Sequence, residues 1–212
     1  FDGTQFYPSL IDSGDTIHDN IMSIFVDGTN KKWIVTPAMI FNGDSGSWQS
    51  GNYSVSEYTD LVVDESGTVW IATMANGIVA DYGTGHKVYT VDNSMMLSNI
   101  VNFLALDSDG GIWAGTMDGI VKISGSNMYT FTRNKDGIDF TDIAHGVVTS
   151  SGELWFSWNA MNLSSFQISN SYDPSFLWGK EVVIKSIDVD SRGVVWVGSY
   201  GGGLVRIVHS KK

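Results

Sequence analysis

LVVDESGTVW at residues 61–70, LALDSDGGIW at 104–113 and IDVDSRGVVW at 187–196 are one phrase written three times. Each has an apolar run, an Asp that opens a turn, a Gly three residues later, and a second apolar run led by Trp. Looser copies stand at 24–33 (IFVDGTNKKW) and 146–155 (GVVTSSGELW). The five tryptophans, Trp33, Trp70, Trp113, Trp155 and Trp196, are 37, 43, 42 and 41 residues apart. A period of roughly 40–45 residues is that of a four-stranded propeller blade.

The turn chemistry agrees with that reading. Asp27, Asp64, Asp107 and Asp190 stand where a side chain can accept hydrogen bonds from the backbone two residues on. Gly67, Gly110, Gly152 and Gly193 supply the positive φ that the turn requires, and Asn30 replaces them in the first repeat. After each Trp strand come a loop and a third strand, clearest in TMANGIVADYG, TMDGIVKISG and SYGGGLVRIV. Outer strands follow in HKVYTVD and NMYTFTR, and less clearly in SWQSGNY and in SFLW at 175–178. The fifth repeat stops after its third strand. Residues 3–17 resemble the outer strand of the third repeat, so the N-terminal strand is expected to complete the last blade and remove two open edges. The expected fold is all-β: a single-domain, five-bladed β-propeller of four-stranded antiparallel blades, with repeats at about 21–57, 58–99, 100–141, 142–181 and 182–209.

With 8 Trp, 8 Tyr and 10 Phe against 3 Pro in 212 residues, the chain can fill a core and is not disordered. Twelve Lys and Arg against 23 Asp and Glu give a net charge of −11, which repels a phosphate backbone or an anionic membrane, and no basic cluster offsets it. Nucleic acid and membrane insertion are therefore not expected as partners. No cysteine is present, so disulfides, thiolate chemistry and Cys-based metal sites are excluded. The sequence starts at Phe1 with no basic, apolar leader, so an export signal is expected to have been removed or to lie outside it. No run reaches the ~18–20 apolar residues of a membrane span.

The pattern D-x-x-G-x-[VIL]-W-[IVA]-[AG]-[TS], together with D-G-I, resembles the two-component regulator propeller repeats. Residues 61–78, 104–120 and 187–204 carry it best. The resemblance implies a bacterial β-propeller of the sensor type, placed in the periplasm or outside the cell. Its motif residues build turns and packing and carry no ligand chemistry.

Ligand chemistry is expected at one end of the central channel, where each inner strand starts and where the loop after each Trp strand lies. Ten residues before the tryptophans stand Ser23, Asp60, Phe103, His145 and Ser186; four after stand Pro37, Met74, Met117, Asn159 and Tyr200. Blade four departs most from the pattern. Thr149 replaces the turn Asp, Trp158 replaces the usual Thr or Ser, and His145 lies near Asp142. A Trp beside a His and a carboxylate suits a sugar ring or a peptide, although Trp158 can equally fill space against the next blade. The candidate ligand set is Trp158, His145, Tyr200, Asp60, Phe103, Met74, Met117 and Asn159.

Met39, Met74, Met117 and Met161 recur in the same loops and serve either as gap fillers or as an adaptable apolar surface. DSDGG at 107–111 lacks the later carboxylate of a calcium loop and reads as a turn, so no metal and no cofactor are expected. An enzyme is the alternative. Asp60 and Asp142 are the acids placed at the inner ring, helped by Glu57 or Glu181, and would act as a glycosidase or lyase pair. No G-x-S-x-G, H-E-x-x-H or phosphate loop occurs. The expected function is a non-catalytic binding or sensor module, monomeric, taking a small polar ligand, glycan or peptide, with a protein-interaction scaffold as a third reading.

Overall fold

The computed structural model describes residues 17, 19–44, 47–51, 53, 55, 57–133, 140–159, 161–167, 170–172 and 182–207. Every regular element among them is a β-strand, and the strands form five antiparallel sheets in chain order, the blades of a β-propeller. Blade one holds β1 (Ser23–Val26), β2 (Lys32–Val35), β3 (Ile40–Asp44) and β4 (Ser47–Gly51). Blade two holds β5 (Tyr58–Val63), β6 (Val69–Thr73), β7 (Ile78–Asp81) and β8 (His86–Tyr89). Blade three holds β9 (Val101–Leu106), β10 (Ile112–Thr116), β11 (Gly119–Ser124) and β12 (Asn127–Phe131). Blade four holds β13 (Ile143–Val148), β14 (Leu154–Trp158), β15 (Asn162–Gln167) and β16 (Asn170–Tyr172), and blade five holds β17 (Val183–Val189), β18 (Val195–Tyr200) and β19 (Gly203–Ile207).

The outer strand of blade four is thus Asn170–Tyr172, nearer in sequence to β15 than the SFLW stretch expected to form it. A three-residue strand of polar side chains carries too little apolar alternation to be found by pattern. Residues 175–178, and residues 3–16 expected to complete blade five, lie outside the described residues.

Alternation along each strand gives every blade a forward face and a rear face, and each junction buries one against the other. Trp33, Val35 and Ile40 of blade one meet Tyr58, Leu61 and Ile71 of blade two. Trp70, Ala72 and Ile78 meet Leu104, Ile112 and Ala114. Trp113 and Ile120 meet Phe140, Leu154 and Phe156, and Trp155 and Leu163 meet Ile184, Val195 and Val197. The repeating Trp is therefore the main apolar contribution of each forward face, burying on the order of 200 Å² per ring.

The two terminal faces share no such cluster among the described residues. Ile24 on the rear of blade one is 66% exposed, whereas its repeat equivalents Leu61 and Leu104 are 0% and 5% exposed. Leu204 on the forward face of blade five is 67% exposed, whereas Ile40, Ile78, Ile120 and Leu163 at the same register are at most 2%.

The turn aspartate does more than start a turn. Asp64 accepts hydrogen bonds on Oδ1 from the amides of Ser66 and Thr68 and on Oδ2 from the indole N–H of Trp70 at 2.9 Å. Asp27 does the same for Thr29, Lys31 and Trp33, and Asp107 for Asp109, Gly111 and Trp113. Asp190 completes the set through Arg192, Val194 and Trp196. In these four blades one carboxylate serves two directions, turn and indole; in blade four Thr149 serves the turn, accepting from the Glu153 amide. The forward face of each ring is then fixed from beside the turn, and Lys122 lies over Trp113 at 4.7 Å while ion-pairing Asp107.

These carboxylates respond to acid in a defined direction. Burial raises Asp27, Asp64 and Asp107, but the hydroxyls of Thr29 and Ser66, Lys122 at Asp107, and the amides and indoles named above outweigh it, and all three lie below the ordinary value. Asp190, half-buried, is lowered to about 2, chiefly by the Val194 amide. A carboxylate with a depressed folded pKa adds stability that is whole above the unfolded value and is lost as pH falls through the folded one. The melting temperature is expected to fall from about pH 4 to about pH 2. Asp190→Asn should flatten part of that fall in melts across the range; an unchanged acid limb would remove Asp190 from the account.

Candidate functional site

Inner strands in blades two to five slip register at one shared place. Tyr58 pairs with Thr73 but Asp60 with Ala72, and Val101 pairs with Thr116 but Phe103 with Gly115. Ile143 pairs with Trp158 but His145 with Ser157, and Ile184 pairs with Ser199 but Ser186 with Gly198. The extra residues are Thr59, Asn102, Ala144 and Lys185, each eleven positions before its Trp. A bulge re-aims side chains that simple alternation would send to opposite faces. Here it turns two consecutive residues per blade toward the centre.

The result is a cavity of about 500 Å³ to which every blade contributes. Its wall is Met22 and Ser23, Thr59 and Asp60, Asn102 and Phe103, Ala144 and His145, and Lys185 and Ser186, with Met74, Asp142, Gly146 and Ile187 beside them. Polar ties between blades hold this wall. The Thr59 hydroxyl donates to the Val101 carbonyl at 2.6 Å, and the Asn102 amide to the Ile143 carbonyl at 2.9 Å. Asp60 accepts from the Leu104 amide on Oδ2 and from the Leu61 amide on Oδ1, both at 2.8 Å, and from Ser23. One carboxylate thereby joins blades one, two and three. Although part of the residue opens to the cavity, enclosure of the carboxyl outweighs these donors and pushes its pKa up.

Of the residues expected to bind ligand, His145, Asp60, Phe103 and Met74 line this cavity, as does Asp142. Phe103 is buried, its ring held between the backbones of Gly115 and Gly146. Trp158 does not reach the cavity: it is 8% exposed, packs edge-on to Phe140 and donates its indole N–H to the Ser164 hydroxyl at 3.0 Å. Tyr200 ends β18 exposed, Met117 is partly exposed, and neither lines the cavity. Asn159 has φ +48° and accepts from the Thr141 hydroxyl, away from the wall. Thr59, Asn102, Ala144 and Lys185 were not expected, because a register slip leaves no mark in a two-residue period. The available signal was the column eleven residues before each Trp, which varies from Met22 to Lys185 as freely as the column beside it.

His145 and Lys185 give the cavity a basic corner. Burial lowers the imidazole pKa, the Lys185 charge lowers it further, and Asp142 partly opposes them, so the ring is neutral at pH 7. Residues 95–118, which run into β9 and through β10 of blade three, match the two component regulator propeller family. That stretch is similar to a two component regulator propeller repeat. Solved structures show the same fold around that repeat. The extracellular domain of BT3049, assigned as a hybrid two component system of B. thetaiotaomicron, is 20% identical with a TM-score of 0.69, over 87% of this chain and 27% of that one. The extracellular domain of BT4673 from B. thetaiotaomicron, assigned as a one component system, is 13% identical with a TM-score of 0.71, over 94% and 28%. Virginiamycin B lyase from Staphylococcus aureus is 14% identical with a TM-score of 0.68, over 93% and 72%. The chain therefore spans about a quarter of the length of these two extracellular domains. No match was found among curated protein sequences. Among the described residues no helix is long and apolar enough to cross a membrane, and no three His, Cys, Asp or Glu side chains form a metal cluster.

Proposed function

We propose that this chain is an extracytoplasmic, non-catalytic ligand-binding propeller of the sensor type, and that its central cavity takes a small polar ligand such as a short oligosaccharide or peptide. The observation that carries the reading is the contrast between columns of the repeat. The turn Asp, the turn Gly and the Trp recur in most blades, whereas the residues eleven and ten before the Trp make a different pair in each blade, from Met22-Ser23 to Lys185-Ser186, and converge on one cavity. A pocket with an apolar share from Met22, Met74 and Ile187 and polar groups at fixed points suits a ligand with both kinds of surface. The propeller repeat and the extracellular neighbours support the placement outside the cytoplasm.

Asp60 supports binding over hydrolysis, since both its oxygens are held by backbone donors of two blades. Calorimetric titration with a panel of oligosaccharides and short peptides tests the proposal. Ala144→Trp, which fills the cavity, is expected to weaken any ligand found by at least about tenfold, or ~1.4 kcal/mol. Unchanged affinity in that variant would move the site elsewhere.

A further inference from the structure

Resting on the reading of the cavity as a ligand site, we infer that its ligand carries a carboxylate, seated at the corner formed by Lys185, His145 and Asn102. Lysine is out of place there in a chain of net charge −11. The bulge in β17 sets Lys185 into the cavity wall with its side chain exposed. Among the described residues it has no ion-pair partner, although Asp142 and Asp60 line the same cavity. Asp60 is turned into backbone donors, and Asp142 does not come within ion-pair distance of the ammonium.

Beside Lys185, the imidazole of His145 likewise makes no hydrogen bond among the described residues. The His145 backbone amide donates to the Ser157 hydroxyl. A neutral imidazole offers one N–H, and the Asn102 amide, which lines the cavity and gives one N–H to the Ile143 carbonyl, has a second N–H to donate. A carboxylate is held by a cation and N–H donors, and the residues of this corner carry both without an internal partner to displace. The charged groups around the imidazole are Lys185 from β17 and Asp142 from the start of its own strand; β9 and β14 bring Asn102, Phe103 and Ser157, which are uncharged. Asp142 keeps the cavity from being uniformly basic, which favours an acid that also carries hydroxyl or amide groups.

Two sources of such a carboxylate are separable with matched pairs. The protein is titrated with galacturonate against galactose, and with N-acetylalanine against N-acetylalaninamide, following the backbone amide shifts of Asn102, His145 and Ser186. The acid of one pair is expected to bind about tenfold or more tightly than its neutral partner, and the pair that does so names the source. Lys185→Met should abolish the difference between acid and neutral compound, while Asp142→Asn should leave it or enlarge it. Equal binding of acid and neutral partner, or a Lys185→Met variant that keeps the difference, overturns the inference and leaves the cavity reading intact. If no compound shifts any cavity amide, both the inference and the cavity reading fail.

Discussion

Gly146→Ala is expected to destabilise the protein by about 3 kcal/mol, at the upper end of what overpacking a core costs. A methyl placed there would stand 2.2 Å from Cζ of Phe103, and the ring has little room to retreat toward Gly115, where a methyl would likewise stand only 2.1 Å from Cε1. Both backbones are in β-strands with ordinary φ, so the penalty is steric alone. In a domain of this size the melting temperature should fall by about 6–12 °C. The decisive control is Phe103→Ala, which opens space on its own account. In the double variant the cost of the added methyl should shrink by at least about 1 kcal/mol, the coupling expected of residues in contact. Additive single effects would show that Phe103 is not what Gly146 makes room for.

Asp60→Ala should cost a similar amount, about 3 kcal/mol. It strips acceptors from two backbone amides in different blades and from Ser23, and each buried donor left unsatisfied costs about 1–3 kcal/mol, reduced where cavity water can reach it. Asp60→Asn retains one acceptor oxygen and should lose about half as much. The two variants also differ in pH response. Because the folded Asp60 pKa lies above the unfolded value, the stability linked to its proton is complete below the unfolded pKa and is lost as pH rises through the folded one. That slope is opposite in sign to the slope from Asp27, Asp64, Asp107 and Asp190. Removing Asp60 should therefore steepen the net loss of stability on acidification, which melts from about pH 7 to about pH 3 would show. A shallower acid limb in Asp60→Asn would contradict the raised pKa.

The blade count was legible in the sequence because five tryptophans mark one register, and register repeats wherever the same face must be buried. Phe103 and Gly146 were also legible in principle. One column holds a Phe where other blades have Ser, Asp or His, and the adjoining column of the next blade holds a Gly where others have Leu or Ile. Read as a pair, they are a ring and the space for it. The Asp–Trp bond was hidden because the turn alone already accounts for an Asp, and the six-residue spacing gains meaning only when the hairpin folds the indole back beside it. Lys185 was hidden for a different reason. Alternation assigns it to the face opposite Ser186, and only the slip between Ile184 and Ser186 brings both into the cavity. Trp158 drew notice as a departure from pattern, yet its departure serves packing: it fills the rear of blade four against Phe140.

Among the described residues, blades one and five each share an apolar cluster with a single neighbouring blade, whereas blades two, three and four share one on both sides. In an array whose units hold one another by contact, a unit with two neighbours opens last and one with a single neighbour frays first. Amide hydrogen exchange should therefore be slowest in β10 of blade three and fastest in β2 and β18, with blades two and four between. Since Lys185 and Ser186 belong to blade five and Met22 and Ser23 to blade one, the cavity would be bounded by its two least protected blades, and a ligand touching both would hold them in place and slow exchange there most.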